Sequence, residues 1–548
     1  MLLGPSLLGC SVSAPPPCAD LLVENAAILT LDPARPRAAA LAVKDGRVLA
    51  VGGAELAARH ACPDRTERID LAGRTVLPGL IDAHGHLRSL GEGLRRVELV
   101  GTTSYDQVLA RVHQRLATSE PGEWLRGRGW DQNDWPVREY PTRERLDALG
   151  ERNPILLTRI DGHAALVNGA ALKAAGIDAG TPDPPGGEIL RDAAGVPTGV
   201  LIDTAVDLAT AAAPRPSRAE RQAALLAGAE RCLEVGLTTI HDAGIDYDDW
   251  DAYRELVDAG RLPLRVYAML GDTSWPVEEW FRRAPEIGRR GFLTVRTVKI
   301  YADGAMGSRG AALLADYTDR PGHRGLLVQP LEKIEAIVRR AIPAGFQVAI
   351  HAIGDRGNRE ALEVLARAAA GANDARPRIE HVQMLAPEDV PRFASLGVIP
   401  SMQPTHCTSD MYWVAERVGP ERARLAYAWR SLIAAGAARL PLGSDFPVES
   451  PNPFWGLHAA ITRQDASGSP AGGWHPEERL TLDEALRGFT VDAAYAAFEE
   501  GEKGSLAAGK LADFIVVDRN PLEVSPASLR ETSVLQTWVG GVRRYARP

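Results

Sequence analysis

The chain has 548 residues, 45% hydrophobic and 24% charged, with 62 Lys+Arg against 71 Asp+Glu and a formal net charge of −9. That composition excludes a disordered or fibrous chain, and an acidic protein without a basic block is poorly suited to nucleic acid, whose phosphates demand clustered Lys and Arg. No apolar run approaches the roughly 18–20 residues of a membrane span, so the expectation is a large soluble globular protein, long enough to need a barrel-sized scaffold or several domains.

Residues 1–20, MLLGPSLLGCSVSAPPPCAD, come first. LLGC followed by a Ser/Ala/Pro spacer resembles a bacterial lipoprotein cleavage site at Cys10, although no Lys or Arg precedes it and the apolar stretch is short. Two expectations stand side by side: a remnant signal segment of a cell-envelope lipoprotein with a mis-assigned start, or a tail on a cytoplasmic protein. The five cysteines are odd in number and contain no CxxC pair, so neither a disulfide framework nor a thiolate zinc site is indicated.

Residues 21–77 read as short strands separated by Asp-Gly and Gly-Arg turns, and residues 500–548 repeat this texture. Two β pieces at opposite ends of a chain can close into one domain, so a β-sandwich built from 21–77 and 500–548 is expected. Between them, over 78–499, the pattern changes. LPGLIDAHGH (77–86), GLTTIHDAG (236–244), PLRVYAML (263–270), TVRTVKIYADG (294–304), GFQVAIHAIGD (345–355), RPRIEHVQM (376–384), GVIPSMQ (397–403) and ARLPLGSDF (438–446) are eight candidate strands. Most are separated by helix-length stretches, which predicts an α/β fold, a closed parallel (β/α)8 barrel. An open doubly wound sheet is the alternative, but no Gly-rich nucleotide turn follows any strand. The interval 87–235 is too long for one helix and a loop, and predicts an inserted cap subdomain at about 100–215, on the loop face where barrel enzymes keep their sites.

His84 and His86 end the first of these strands. Residues two apart on a strand share a face, and two imidazoles at the top of a barrel strand suit a divalent metal; a hydrogen-bonded pair of histidines is the plainer alternative. His351, His381 and Asp445 close three further strands in the same way, and barrel chemistry is assembled from such strand ends. Together they favour a metal centre. Lys299 is one of only six lysines, arginine supplying the other 56 basic residues. Inward-pointing beside metal ligands, a charged ammonium is costly. A neutral amine can instead take up CO2 as a carbamate, an anionic bridge between two metals; pairing with Asp445 or Asp303 is the competing reading.

With these motifs the sequence resembles the amidohydrolase superfamily, and within it the YtcJ-like group, amidohydrolase family 3, which includes N-substituted formamide deformylases. LPGLIDAHGH, DGHAALVN (161–168), GLTTIHDAG, VKIYADGAMGSRGA (298–311), HAIGDRGN (351–358), EHVQ (380–383), LGSDFPVE (442–449) and GSLAAGKLADFIVVD (504–518) carry the resemblance in order. It implies that His84 and His86 bind one metal with Asp445, that Lys299 bridges, and that His351 and His381 hold a second. Two zinc ions bridged by carbamylated Lys299 are the expected cofactor, with iron, manganese or nickel accepted by the same donors. The implied activity is hydrolysis of a non-peptide C–N bond by metal-activated water, with Asp445 receiving the proton and passing it to the departing amine. A cyclic-amide hydrolase or deaminase on this scaffold, or a non-catalytic binding or regulatory relative, are the alternatives.

Other positions carry two readings each. His163 either orients a substrate carbonyl or packs the cap; Arg309 either binds a substrate carboxylate or forms a loop ion pair. His241 reads as an internally hydrogen-bonded residue, and Asp355 as a helix start or a support for a histidine. Trp130, with Trp124, Trp135, Trp413 and Trp455, is core or the wall of an apolar substrate pocket. The expected partner is a small-molecule amide, without nucleic acid or a transmembrane span; a homo-oligomer is compatible with this reading.

Overall fold

The computed structural model describes residues 16–159, 164–185, 187–271, 275–307, 309–369, 371 and 374–548. The LLGC sequence around Cys10 and the candidate His163 lie outside them. The chain forms two compact units, one being Arg88–Ala227 and the other the chain on either side of it.

In the larger unit, seven strands follow one another in parallel around a barrel: Leu80–Gly85, Leu237–Ile245, Arg265–Leu270, Leu293–Tyr301, Gln347–Ala352, Arg378–His381 and Ile399–Ser401. They are buried along almost their whole length, as parallel strands covered on both faces are, although Arg378–His381 is mostly polar. Segment 440–446 completes the ring without being a regular strand, because Pro441 lacks an N–H for the ladder. It nonetheless bonds both neighbours: Met402 N–H donates to Pro441 O and Gly443 N–H to Met402 O, while Ala83 N–H donates to Leu442 O and Asp445 N–H to His84 O. The result is a parallel α/β barrel closed by eight segments. Register then aligns the chemistry. Lys299 lies opposite Ala349, Tyr301 opposite His351, and Ala352 opposite His381, so the polar side chains collect at the C-terminal ends.

The same unit contains two β-sheets. One orders Arg47–Gly52, Ala40–Lys44, Leu21–Glu24 and Glu67–Asp70; the other orders Val542–Ala546, Val534–Val539, Phe514–Val517, Thr75–Pro78, Ala27–Leu29 and Arg37–Ala38. The second sheet thus interleaves strands from both ends of the chain. Leu21, Val23, Leu41, Val43, Val76, Phe514, Val516 and Trp538 form one buried core, in which the Phe514 and Trp538 rings stack 5.3 Å apart. A buried ion pair of Arg265 Nε with Asp513 Oδ2 at 2.7 Å ties the third barrel strand to this β layer.

One expectation is corrected here. Cys18 and Cys62 form a disulfide, with their Cα atoms 5.6 Å apart. An odd cysteine count does not exclude one pair, and partners 44 residues apart leave no local spacing to read. The bond joins the segment before Leu21–Glu24 to the end of helix Glu55–His60, where His60 Nδ1 also donates to Pro17 O at 2.9 Å. Cys232 and Cys407 are free and buried.

Unit Arg88–Ala227 has its own mixed sheet, ordered Gly187–Arg191, Pro197–Asp203, Ala164–Val167, Ile155–Arg159, Leu125–Trp130 and Val97–Glu98. Alternation along its strands builds two cores on opposite faces. Ile155, Leu157 and Leu166 join Val108, Val112 and Trp130 on one side, while Leu156, Ala165 and Val167 join Leu172, Ala205 and Ala209 on the other. Among the described residues no helix is long and apolar enough to cross a membrane.

Candidate metal centre

His84, His86 and Asp445 converge at the C-terminal ends of the first strand and the closing segment. His86 Nε2 lies 2.9 Å from Asp445 Oδ1, and His84 Nε2 lies 3.7 Å from the same oxygen. His381 packs 4.8 Å from the His84 ring and His351 4.5 Å from His381, centroid to centroid. Donor atoms of His84, His86 and Asp445 lie close enough to share one ion, and so do those of His381, His406 and Asp445.

The far side of each ring decides which nitrogen faces inward. His84 Nδ1 donates to Glu380 Oε2 at 2.6 Å, His86 Nδ1 to the Ala243 carbonyl at 2.8 Å, and His381 Nδ1 to Gln403 Oε1 at 2.8 Å. An oxygen acceptor on Nδ1 fixes the tautomer and leaves a lone pair on Nε2, the arrangement that orients metal-binding imidazoles. His351 Nε2 and Asp445 Oδ1 are buried with no hydrogen-bond partner. Buried polar atoms are normally satisfied, so unpartnered acceptors gathered around one point fit a divalent cation. Backbone strain marks the same place: His381 and Asp445 have φ of 77° and 60°, a left-handed conformation uncommon for non-glycine residues and concentrated at functional sites.

The electrostatics agree. Burial, with Lys299 nearby, lowers His84 to about 4 and His351 to about 3, and burial beside His351 holds His381 well below its usual range. All three rings are therefore neutral at neutral pH, the form in which an imidazole can bind a metal. His86 differs: burial pushes it down, but contact with Asp445 outweighs this and the net shift is upward. Zinc uptake by metal-stripped protein is accordingly expected to strengthen as pH rises and His86, held above its ordinary range, gives up its proton, with His84, His351 and His381 already neutral. Calorimetric titration at pH 5.5, 6.5 and 7.5 checks this; an affinity unchanged across that range contradicts it.

Lys299 is buried in the same cluster, its Nζ 3.1 Å from His84 Nε2. Burial, helped by Arg378 and opposed by Glu380 and Asp445, lowers it to about 8. Among the described residues its hydrogen-bond partner is His84, rather than Asp445 or Asp303. Asp303 instead accepts from the N–H groups of Ile353, Gly354 and Ala312.

Five residues that the sequence reading did not single out as site residues support the centre. Asp82 accepts from His84 N–H and Ser444 N–H through Oδ1 and from Ser444 Oγ at 2.6 Å through Oδ2, locking the first strand to the segment bearing Asp445. Gly443 sits where a Cβ would come within 2.6 Å of Asp82 Oδ1 and His84 N. Glu380 is held beneath His84 by Arg378, whose Nε lies 2.7 Å from Glu380 Oε1. Arg378 also donates to Ala83 O, Ser401 Oγ and His241 Nδ1. His406 is the fifth, from helix Pro404–Asp410. A glutamate adjoining a histidine in EHVQ was the one signal that could have pointed to Glu380.

The remaining candidates separate from this cluster. Arg309 Nη2 lies 2.7 Å from Asp319 Oδ2, so its guanidinium is engaged in a loop ion pair and not held open for a substrate carboxylate. Trp130 is fully buried in its unit's own core, its Nε1 donating to Leu157 O at 2.7 Å, and walls no substrate pocket of that unit. His241 is buried and accepts from Arg378. Asp355 opens helix Asp355–Ala368, accepting from the N–H of Leu314 and Arg356.

A family model described as the amidohydrolase family matches residues 67–545. The chain belongs to the amidohydrolase family. Among curated relatives, the protein LONG AFTER FAR-RED 3 of Arabidopsis thaliana is 37% identical over 545 residues, covering 96% of this chain and 92% of that one. An N-substituted formamide deformylase of Arthrobacter pascens is 31% identical over 543 residues, covering 96% of this amidohydrolase and 98% of its relative. Among solved structures, an uncharacterized metal-dependent hydrolase from Pyrococcus furiosus superposes with a TM-score of 0.77 at 29% identity, over 92% of this chain and all of the other. The strand-end cluster thus sits on a metal-dependent hydrolase scaffold.

Proposed function

We propose that this amidohydrolase hydrolyses a non-peptide C–N bond, that of an N-substituted amide or formamide, with a divalent metal. The observation that carries the reading is the set of histidines whose Nδ1 atoms are tied to oxygen acceptors, turning their Nε2 atoms toward Asp445. Imidazole and carboxylate donors suit zinc. His84, His86 and Asp445 would hold one ion and His351 and His381 a second, with carbamylated Lys299 between them. When bound, such ions polarise the scissile carbonyl and lower the pKa of water from 15.7 to about 7.

The chain's own groups then move protons. Asp445 is held ionised: burial would raise it, but the contact with His86, foremost among the histidines around it, keeps it well below the ordinary carboxylate range. It accepts the proton of the attacking water and delivers it to the leaving nitrogen, because an amide anion is a poor leaving group. Glu380 and Arg378 keep the His84 ring oriented while charge moves above it. The similarity to an N-substituted formamide deformylase supports a C–N bond over other hydrolysable bonds.

The test is a panel of N-substituted formamides, simple amides, cyclic amides and N-acyl amino acids offered to zinc-loaded protein, with metal content measured alongside. Turnover of a linear amide or formamide, lost on chelation and restored by zinc, is expected. Protein that binds zinc stoichiometrically yet turns over only cyclic amides, or nothing in the panel, contradicts the proposal.

A further inference from the structure

Four of the five histidines at this centre have been placed; His406 remains, and its surroundings differ in kind. It lies in helix Pro404–Asp410, after the seventh barrel strand, and is buried. Its Nε2 points to the same space as the others, 3.7 Å from Asp445 Oδ2, and has no hydrogen-bond partner. Asp445 therefore divides its oxygens, with Oδ1 toward His84 and His86 and Oδ2 toward His406.

The difference lies on the far side of the ring. His84, His86 and His381 each present Nδ1 to an oxygen, so Nδ1 donates and Nε2 keeps its lone pair. His406 Nδ1 instead faces the amide nitrogen of Gln383, with Gln383 Nε2 at 3.2 Å. An amide nitrogen only donates, so Nδ1 must accept, and in the neutral ring Nε2 then carries the hydrogen. A ring with N–H on its inner edge has no lone pair there for a metal.

We infer that His406 is a catalytic hydrogen-bond donor, not a ligand: its Nε2–H binds the substrate oxygen that gains negative charge when water adds to the carbonyl. The inference rests on the C–N hydrolase reading above. No proton changes hands at His406. The N–H stays bonded to nitrogen while the carbonyl π pair moves onto oxygen, and the donor is worth most when that oxygen is most negative. Gln383 acts through His406 as a positioning residue that sets its tautomer. A ligand role and a donor role make opposite demands on the ring, which makes the assignment testable.

His406→Ala and His406→Gln are compared with His381→Ala in zinc-loaded protein. Gln at 406 restores an N–H near the position of Nε2; Ala does not. We expect both His406 variants to keep wild-type zinc content and, after cobalt substitution, the wild-type visible absorption bands, while His381→Ala loses both. Against a hydrolysed formamide, His406→Ala is expected to lose about 10²–10³-fold in kcat with KM changed little, and His406→Gln to recover a substantial part. Methylphosphonate, a tetrahedral oxyanion, gives a readout that needs no substrate: its binding to zinc-loaded protein should weaken in His406→Ala and persist in His406→Gln. If the formamide panel fails while this binding pattern holds, the function reading falls and the donor assignment stands. Loss of zinc or altered cobalt bands in His406→Ala, to the extent seen for His381→Ala, would make it a ligand and overturn the inference. Unchanged methylphosphonate binding in His406→Ala overturns it equally.

Discussion

Asp445→Asn is expected to lower kcat on an amide or formamide by about 10⁴-fold, the upper end of what general acid–base catalysis supplies and equivalent to about 5 kcal/mol of barrier. The substitution isolates chemistry from folding. Asp445 has φ of 60°, and asparagine is among the few residues that adopt the left-handed region readily. Its backbone N–H, which donates to His84 O at 2.7 Å, is unchanged. Asparagine keeps an oxygen for His86 but cannot accept a proton from water, so the variant should fold and retain part of its zinc while losing both proton transfers. Alanine at 445 is the poorer experiment, since it adds backbone strain to the loss of the carboxylate. Steady-state turnover of the zinc-loaded Asn variant, read with its thermal unfolding, checks the expectation. Activity within tenfold of wild type would assign the proton transfers to another group.

The residues that could be read ahead of the structure share one property: each ends a buried barrel strand or the segment that closes the ring. His84, His86, His351 and Asp445 follow hydrophobic runs that announce them, His381 follows a mostly polar one, and polar residues at such ends have few structural reasons to be there. Position, more than residue type, carried that signal. The support beneath them gave no such sign. Asp82, Arg378 and Glu380 are charged residues inside strands, fully or almost fully buried, and a lone sequence does not distinguish a solvated charge from one neutralised across the barrel. Arg378 reaches Ala83 and His241, 295 and 137 residues away in the chain, distances at which no local spacing is informative. His406 was hidden for another reason. It sits in the first turn of a short helix after Pro404, where there is no strand to end and no period to interrupt. The Cys18–Cys62 bond was invisible for the same lack of local pattern. Trp130 erred in the other direction, because a tryptophan near a presumed loop suggests a pocket wall, whereas the large area it offers usually goes to a core.

The buried polar layer also holds the strand-end histidines and Asp445 in place without help from a metal. Glu380 is kept ionised well below its ordinary range, burial being outweighed by Arg378 and His84, so it is an acceptor for the His84 N–H at neutral pH. Removing one partner of such a buried network leaves a charge uncompensated, so Glu380 and Arg378 stand or fall together. Asp82 does for position what Glu380 does for orientation. Through Ser444 it fixes the closing segment, and with it Asp445, against the strand that bears His84 and His86.

Lys299 gives the sharpest remaining expectation. Its amine, lowered to about 8 by burial, is increasingly neutral as pH rises through that value, and only the neutral form attacks CO2. The nitrogen lone pair bonds to the CO2 carbon, a C–O π pair moves to oxygen, and the ammonium proton leaves to water, giving a carbamate anion. Lys299→Ala is expected to lose about 10³-fold or more in turnover, because several kcal/mol of charge stabilisation go with the bridge. Bicarbonate should not restore that variant, whereas a short carboxylic acid placed in the vacated space should recover part of the loss. Lys299→Arg preserves the charge but should be as inactive as Ala, since a guanidinium stays cationic and does not take up CO2. Wild-type protein stripped of metal and CO2 should regain activity faster when bicarbonate accompanies zinc, and faster at pH 8.5 than at pH 7. Near-normal turnover of the arginine variant, or a holo crystal structure with a bare amine on Lys299, would remove the bridge. The centre would then hold one ion on His84, His86 and Asp445, completed by His351 or His381.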